Sequence, residues 1–203
     1  MKKTFLLLAA STMMLSAGTV NFYSDTVNES NSTLSPNQLL ANVHPAWEPN
    51  GANYSWISYA QTDGSNASVA NGTVISFYET ITVGGAGTGS VTVWADDTAN
   101  VFFGNIGIPP FQSMTLDGAC HAGPVGCEPG EQTTFNFAFA SAGTYQLRFD
   151  VYQLGGGPFG LMYTGSANYN DAAPTPEPAS MAFAGIGLVT VGYMARRRAQ
   201  KKS

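Results

Sequence analysis

The strongest constraint in this chain is an apolar beat of period two. Across Thr133–Ala140, phenylalanine returns at every second position, as Phe135, Phe137 and Phe139. Tyr145, Leu147, Phe149 and Val151 repeat the beat across Thr144–Gln153, and Ile75, Phe77, Ile81 and Val83 repeat it across Thr73–Val83. Successive side chains of a strand point to opposite faces, so this spacing makes strands with one buried face, not helices. Further strands are expected at Asn53–Ala60, Asn100–Phe103, Leu161–Tyr169 and Ser90–Ala95, the last with Val91, Val93 and Ala95 on one face. Asn71-Gly72 and the Gly-rich stretches Gly84–Gly89 and Gly155–Gly160 read as turns, and Gly104–Gly130 as a long loop. Glu79 falls on the apolar face of its strand. An edge position, a bulge or a buried partner each accommodates it, and the first two are expected.

Short strands joined by Gly-rich turns, without a convincing helix between them, predict an all-β domain. The architecture expected is a β-sandwich, a jelly-roll of galactose-binding-like type, with an N-terminal signal helix and a C-terminal transmembrane helix. The ends carry those two address segments. Residues 1–18 read as a signal peptide: Lys2 and Lys3 precede an apolar stretch, and Ser16-Ala17-Gly18 offers small residues to a signal peptidase. Residues 19–46, rich in Ser, Asn and Thr, read as a flexible lead-in, and 47–170 as the sandwich.

Residues 171–180 form a Pro-rich linker, extended because each proline fixes its own φ and disfavours helix just before it. Residues 181–195 are apolar or small apart from Thr190, and 196–203 form a basic tail. As a helix the apolar span is roughly 22 Å long, short of a ~30 Å hydrocarbon core but within reach of snorkelling or bilayer thinning. The arginines favour a cytoplasmic tail and place the domain on the periplasmic side of the inner membrane.

Pro176-Glu177-Pro178, the apolar span and Arg196-Arg197-Arg198, in that order at the end of the chain, resemble the PEP-CTERM sorting signal of Gram-negative bacteria. The resemblance covers about the last 30 residues. It implies an exosortase substrate cut near Pro176, Glu177 and Pro178, destined for the cell surface or an extracellular matrix in exopolysaccharide-producing, biofilm-forming species. The same segment also carries an ice-binding protein C-terminal label. The chain lacks the repeated Thr-x-Thr arrays that suit ice.

The net charge of −5 conceals an asymmetry: between the basic ends Arg148 is the one Lys or Arg, while the acids lie almost wholly in the middle. Such a domain repels nucleic acid and is compatible with divalent cations, neutral sugars or no ligand. Arg148 and Asp150 share an outer face, near enough to pair at a gain of about 0–1 kcal/mol. In an exported chain Cys120 and Cys127 are expected to form a disulfide. The rival is a metal site of Cys120, His121 and Cys127, which lacks a clear fourth ligand, or two free thiols.

Asp96 and Asp97, adjacent between two strands, form the leading candidate site. Carboxylates there suit Ca²⁺ as a cofactor, or they accept backbone hydrogen bonds in a turn. The segment Val93–Phe103 resembles the strand–Asp-Asp–strand run of jelly-roll adhesion domains, including protective-antigen-like lectin domains. That resemblance implies Asp96 and Asp97 as metal ligands beside a sugar, with Thr98 departing from the usual Gly. Trp47, Trp56, Tyr59, Trp94 and Tyr163 can stack on sugars or fill a core. Trp94, on the face opposite Val91 and Val93, is the first to test. Gly155–Gly160 lacks the Lys and Ser/Thr of a phosphate loop. With His44 and His121 the only histidines and no nucleophile motif, the expectation is no enzyme. It is instead a structural or adhesive envelope protein, or a Ca²⁺-assisted carbohydrate-binding module, with a polysaccharide hydrolase the remaining alternative.

Overall fold

The computed structural model describes residues 16–171 except 28, 34, 64–66, 113, 114, 117 and 119. These lie in one of the chain's two units, Leu15–Ala172. Among the described residues no helix is long and apolar enough to cross a membrane. Residues 1–15 of the expected signal peptide, the span 181–195, the cleavage motif Pro176-Glu177-Pro178 and the basic stop Arg196-Arg197-Arg198 fall outside them, whereas Ala17 and Gly18, expected at the end of that peptide, are in a strand.

The strands, in chain order, are β1 (Ala17–Tyr23), β2 (Glu29–Asn31), β3 (Gln38–Leu39), β4 (Ile57–Ser58), β5 (Val74–Val83), β6 (Gly87–Asp96) and β7 (Thr98–Phe103). They continue as β8 (Ile106–Ile108), β9 (His121–Ala122), β10 (Val125–Gly126), β11 (Thr133–Phe139), β12 (Gly143–Tyr152) and β13 (Gly160–Asn170). One sheet runs β11-β6-β13-β4-β3, with β1 also on β13; the other runs β2-β5-β12-β7-β8; β9 and β10 form a small ribbon. All pairings are antiparallel.

The period-two beat sets the register. Phe77 lies opposite Phe149, Ile75 opposite Val151, and Phe135 opposite Val91. These residues, with Val93, Val101, Leu147, Leu161 and Tyr163, form the core between the sheets. Burying a side chain of this size stabilises the fold by about 1.5–3 kcal/mol. The expected all-β sandwich is thus observed.

Several segments differ from the expectation. The lead-in is ordered: β1 pairs with β13 over seven residues, starting at Ala17, and β2 pairs with β5. Its polar side chains are used internally. Asn31 Nδ2 donates to Asn37 Oδ1 at 2.6 Å and to the Ser35 carbonyl at 2.8 Å, and Ser24 Oγ donates to the Ser55 carbonyl at 2.7 Å. Phe22 seats its ring over Gly165, where a Cβ would fall 2.3 Å from ring carbons. Any larger residue at Gly165 displaces that ring. Strand β6 begins at Gly87, inside the expected turn, and the long loop contains β8, β9 and β10. Of Asn53–Ala60 only Ile57–Ser58 is strand.

Glu79 is neither at an edge nor on a bulge. Strand β5 lies between β2 and β12 in unbroken register, and Glu79 is buried with partners. Arg148 Nε lies 3.1 Å from Asp150, with the guanidinium 4.0 Å above the Phe102 ring.

Candidate functional site

Asp96 ends β6 and Asp97 follows it before β7. The peptide between them is cis. Both side chains are buried, at 4% and 3% exposure. Asp96 Oδ2 accepts the Trp47 Nε1–H at 2.9 Å. Asp97 Oδ2 accepts two backbone N–H groups, from Leu154 at 2.6 Å and Gly155 at 2.9 Å. Asp97 therefore pins the Gly-rich turn between β12 and β13. Burial, the charge of Asp97 and a hydrogen bond between the two carboxyls push Asp96 up to about 8, against the pull of the Trp47 N–H.

Ca²⁺ takes six to eight oxygen ligands, and here Asp96 Oδ2 and Asp97 Oδ2 are both engaged by N–H donors. Among the described residues one group of three potential ligand side chains converges: Asp96, Cys120 and Cys127. The two sulfurs are bonded to each other, with a Cα–Cα distance of 5.8 Å. A disulfide has no thiolate to offer a metal, and His121 is not part of the group.

The alternation placed Trp94 on the face opposite the core, and the structure agrees. That face is not open. Trp94 and Met162 are covered by Leu40, Trp47, Trp56 and the Cys120–Cys127 disulfide, a second apolar layer outside the β6–β13 sheet. Trp94 is 5% exposed and stacks on Tyr54 with centroids 5.8 Å apart. Trp47 and Trp56 pack at 4.2 Å. Tyr163 is in the main core, and Tyr59 packs edge-on against Phe159 at 5.9 Å. Of the two readings of these five aromatics, sugar stacking or core filling, the contacts are those of packing residues.

A second polar cluster has no signal in the sequence beyond the misplaced Glu79. Glu29 on β2 lies opposite Glu79 on β5. The Tyr163 hydroxyl, from β13, sits between them, 2.5 Å from Glu29 Oε1 and 2.7 Å from Glu79 Oε2. Glu29 also accepts the Asp25 N–H at 3.1 Å and the Asn37 amide at 3.1 Å. Burial raises Glu29 to about 7 against these hydrogen bonds. Burial raises Glu79 to about 8, with the charges of Glu29 and Asp25 adding to it. Tyr163 is held well above its ordinary value by burial and by both carboxylates. A groove of about 320 Å³ adjoins the cluster between β1 and β5, lined by Asp25, Glu79, Tyr23 and Thr82 among others.

Comparison with known proteins places the C-terminal segment. Residues 174–198 match the PEP-CTERM protein-sorting motif. The chain is thus an exported protein, made as a membrane-anchored precursor and processed by an exosortase. No curated protein matches the chain. Among solved structures it is similar to a family 35 carbohydrate binding module from Clostridium thermocellum, at 10% identity over 72% of this chain and 97% of that one, with a TM-score of 0.40. It is also similar to a CBM35 from Paenibacillus barcinonensis, at 10% identity, 71% and 95% coverage, and a TM-score of 0.38. A GH26-CBM35 β-(1,4)-mannanase from Podospora anserina gives 9% identity, 78% and 29% coverage, and 0.40.

Proposed function

We propose that this protein is a non-enzymatic structural or adhesive component of the cell envelope or extracellular matrix, delivered there by exosortase. The sorting motif at residues 174–198 carries the reading. The chemistry of the described residues supports the absence of catalysis. Asp96 and Asp97 are adjacent and internally bonded, whereas glycoside hydrolysis places its two carboxylates on either side of the scissile bond, one of them ionised. Glu29 and Glu79 share a buried phenol, and both are shifted toward the protonated form at neutral pH.

In a strain lacking exosortase the protein should stay in the membrane with its tail intact, as shown by intact mass. Normal cutting and release in that strain sinks the sorting reading. Matrix association is tested separately by depleting the exopolysaccharide. The mature protein should then move from the matrix fraction to the medium.

The rival reading is a Ca²⁺-assisted carbohydrate-binding module built on Asp96, Asp97 and Trp94. The hydrogen bonds of both acids and the burial of Trp94 count against it. Titrating Ca²⁺ into the exported protein should leave the melting temperature unchanged and give no heat with a glycan panel. A rise in melting temperature that Asp96→Asn abolishes restores that reading.

A further inference from the structure

The Glu29–Tyr163–Glu79 cluster presents a proton-counting problem. A phenol has one proton to donate and a carboxylate has none. Tyr163 satisfies one of its two short contacts as a donor. In the other it accepts, so the carboxyl on that side must carry a proton. Among the described residues no cation faces the cluster. The groups facing the cluster are Asp25, the Asn37 amide, the Thr80 N–H and the apolar Phe22, Leu147 and Phe149. Arg148, the one Lys or Arg among the described residues, points to the outer face of β12, where it pairs with Asp150.

The cluster also ties unequal parts together. Glu79 and Tyr163 sit on ten- and eleven-residue strands embedded in the two sheets. Glu29 sits on β2, an edge strand of three residues. Outside that pairing its ties are a few short-range hydrogen bonds: Ser32 N–H to the Ser76 carbonyl at 2.9 Å, Ser76 N–H to Ser32 Oγ at 3.1 Å, Asn31 to Asn37 and the Ser35 carbonyl, and the Asp25 N–H and Asn37 amide to Glu29. Two carboxylates on one phenol, in a site sheltered from water, repel strongly. The weakest attachment is β2.

We propose that the cluster is a proton-held latch: with its shared proton the edge strand β2 is closed on β5, and without it β2 detaches and frees the edge of β5 while the two sheets stay paired. The closed state binds protons more tightly than the open one, since both glutamates rise from 4.5 to about 7 and about 8 on burial. The direction follows from that. Closure is fully favoured below the ordinary carboxylate range, weakens as pH rises above it, and is lost through about 7 to 8. An exported domain meets the pH of its surroundings directly, so the latch makes the β5 edge an acid-closed, base-opened feature.

Hydrogen exchange of the exported protein tests this, with rates corrected for the intrinsic pH dependence. In the wild type, amide protection in β2 should fall by roughly tenfold per pH unit for each proton released, while β12 amides keep theirs. Glu79→Gln preserves the shape and a hydrogen bond without the titration, and it should flatten the β2 profile. Protection in β2 that is independent of pH in the wild type, or an unchanged slope in Glu79→Gln, overturns the latch. If that variant does not fold, the wild type labelled with ¹³C at glutamate carboxyls decides, since the label leaves Asp96 silent. A protonated glutamate infrared band should be present at about pH 6 and gone by about pH 9. Its absence at the lower pH overturns the proposal.

Discussion

Asp97→Ala is expected to destabilise the domain by about 2–4 kcal/mol with no calcium present. The substitution removes the acceptor of two backbone N–H groups, those of Leu154 and Gly155. Each amide left unpaired costs about 1–3 kcal/mol when sheltered from water. Gly155 is itself exposed, which lets solvent recover part of that loss. The variant also removes one of the charges that keeps Asp96 protonated. Asp96 holds a proton in the folded state up to about pH 8 that the unfolded chain releases near 3.8, so its contribution falls as pH rises through that window. In Asp97→Ala the window should narrow from its upper end. Asp97→Asn keeps one acceptor and removes the charge, so it should cost less than alanine and narrow the window equally. Urea unfolding at several pH values measures both effects. A variant as stable as the wild type without calcium, and less stable only with it, assigns Asp97 to metal binding.

Legibility from sequence followed the range of the interactions involved. Strands β5, β11 and β12 could be read because their alternation is local and each buries one face. The sorting motif could be read because it is a linear signal. Strand β1 could not, since Val20 and Phe22 are a weak beat. What makes it a strand is the free edge of β13 and the space over Gly165, nearly 150 residues away. The side assigned to Trp94 was right and its exposure was not. Alternation specifies a face, and only the chain folding back from Leu40, Trp47 and Cys120–Cys127 decides whether that face meets water. Glu79 shows the same limit for polar groups. An acid on an apolar face signals an edge or a bulge by default, and its partners Glu29 and Tyr163 come from opposite ends of the domain.

Trp47→Ala is expected to cost about 3–5 kcal/mol, the usual range for emptying a buried tryptophan site. Trp47 is 3% exposed. It packs on Trp56 at 4.2 Å and lies so close to Gly160 that a Cβ there would meet its ring at 3.1 Å. Its Nε1–H is also the donor that favours ionised Asp96, so the substitution joins the loss of a layer to the loss of a hydrogen bond. Trp47→Phe separates the two. It keeps most of the ring and removes the donor, for about 1–3 kcal/mol, and it should push Asp96 still higher. All three tryptophans of the chain belong to this outer layer. Native tryptophan emission therefore reports on it alone. In Trp47→Ala the emission of Trp56 and Trp94 should shift to the red before the main core unfolds, because water reaches the outer layer first. A surface sugar platform predicts the opposite pattern. Replacing an exposed stacking residue changes stability by no more than about 0.5 kcal/mol, leaves the other two tryptophans dry, and appears only in binding. The pair of variants thus distinguishes a layer that holds the sandwich together from a surface held ready for a ligand.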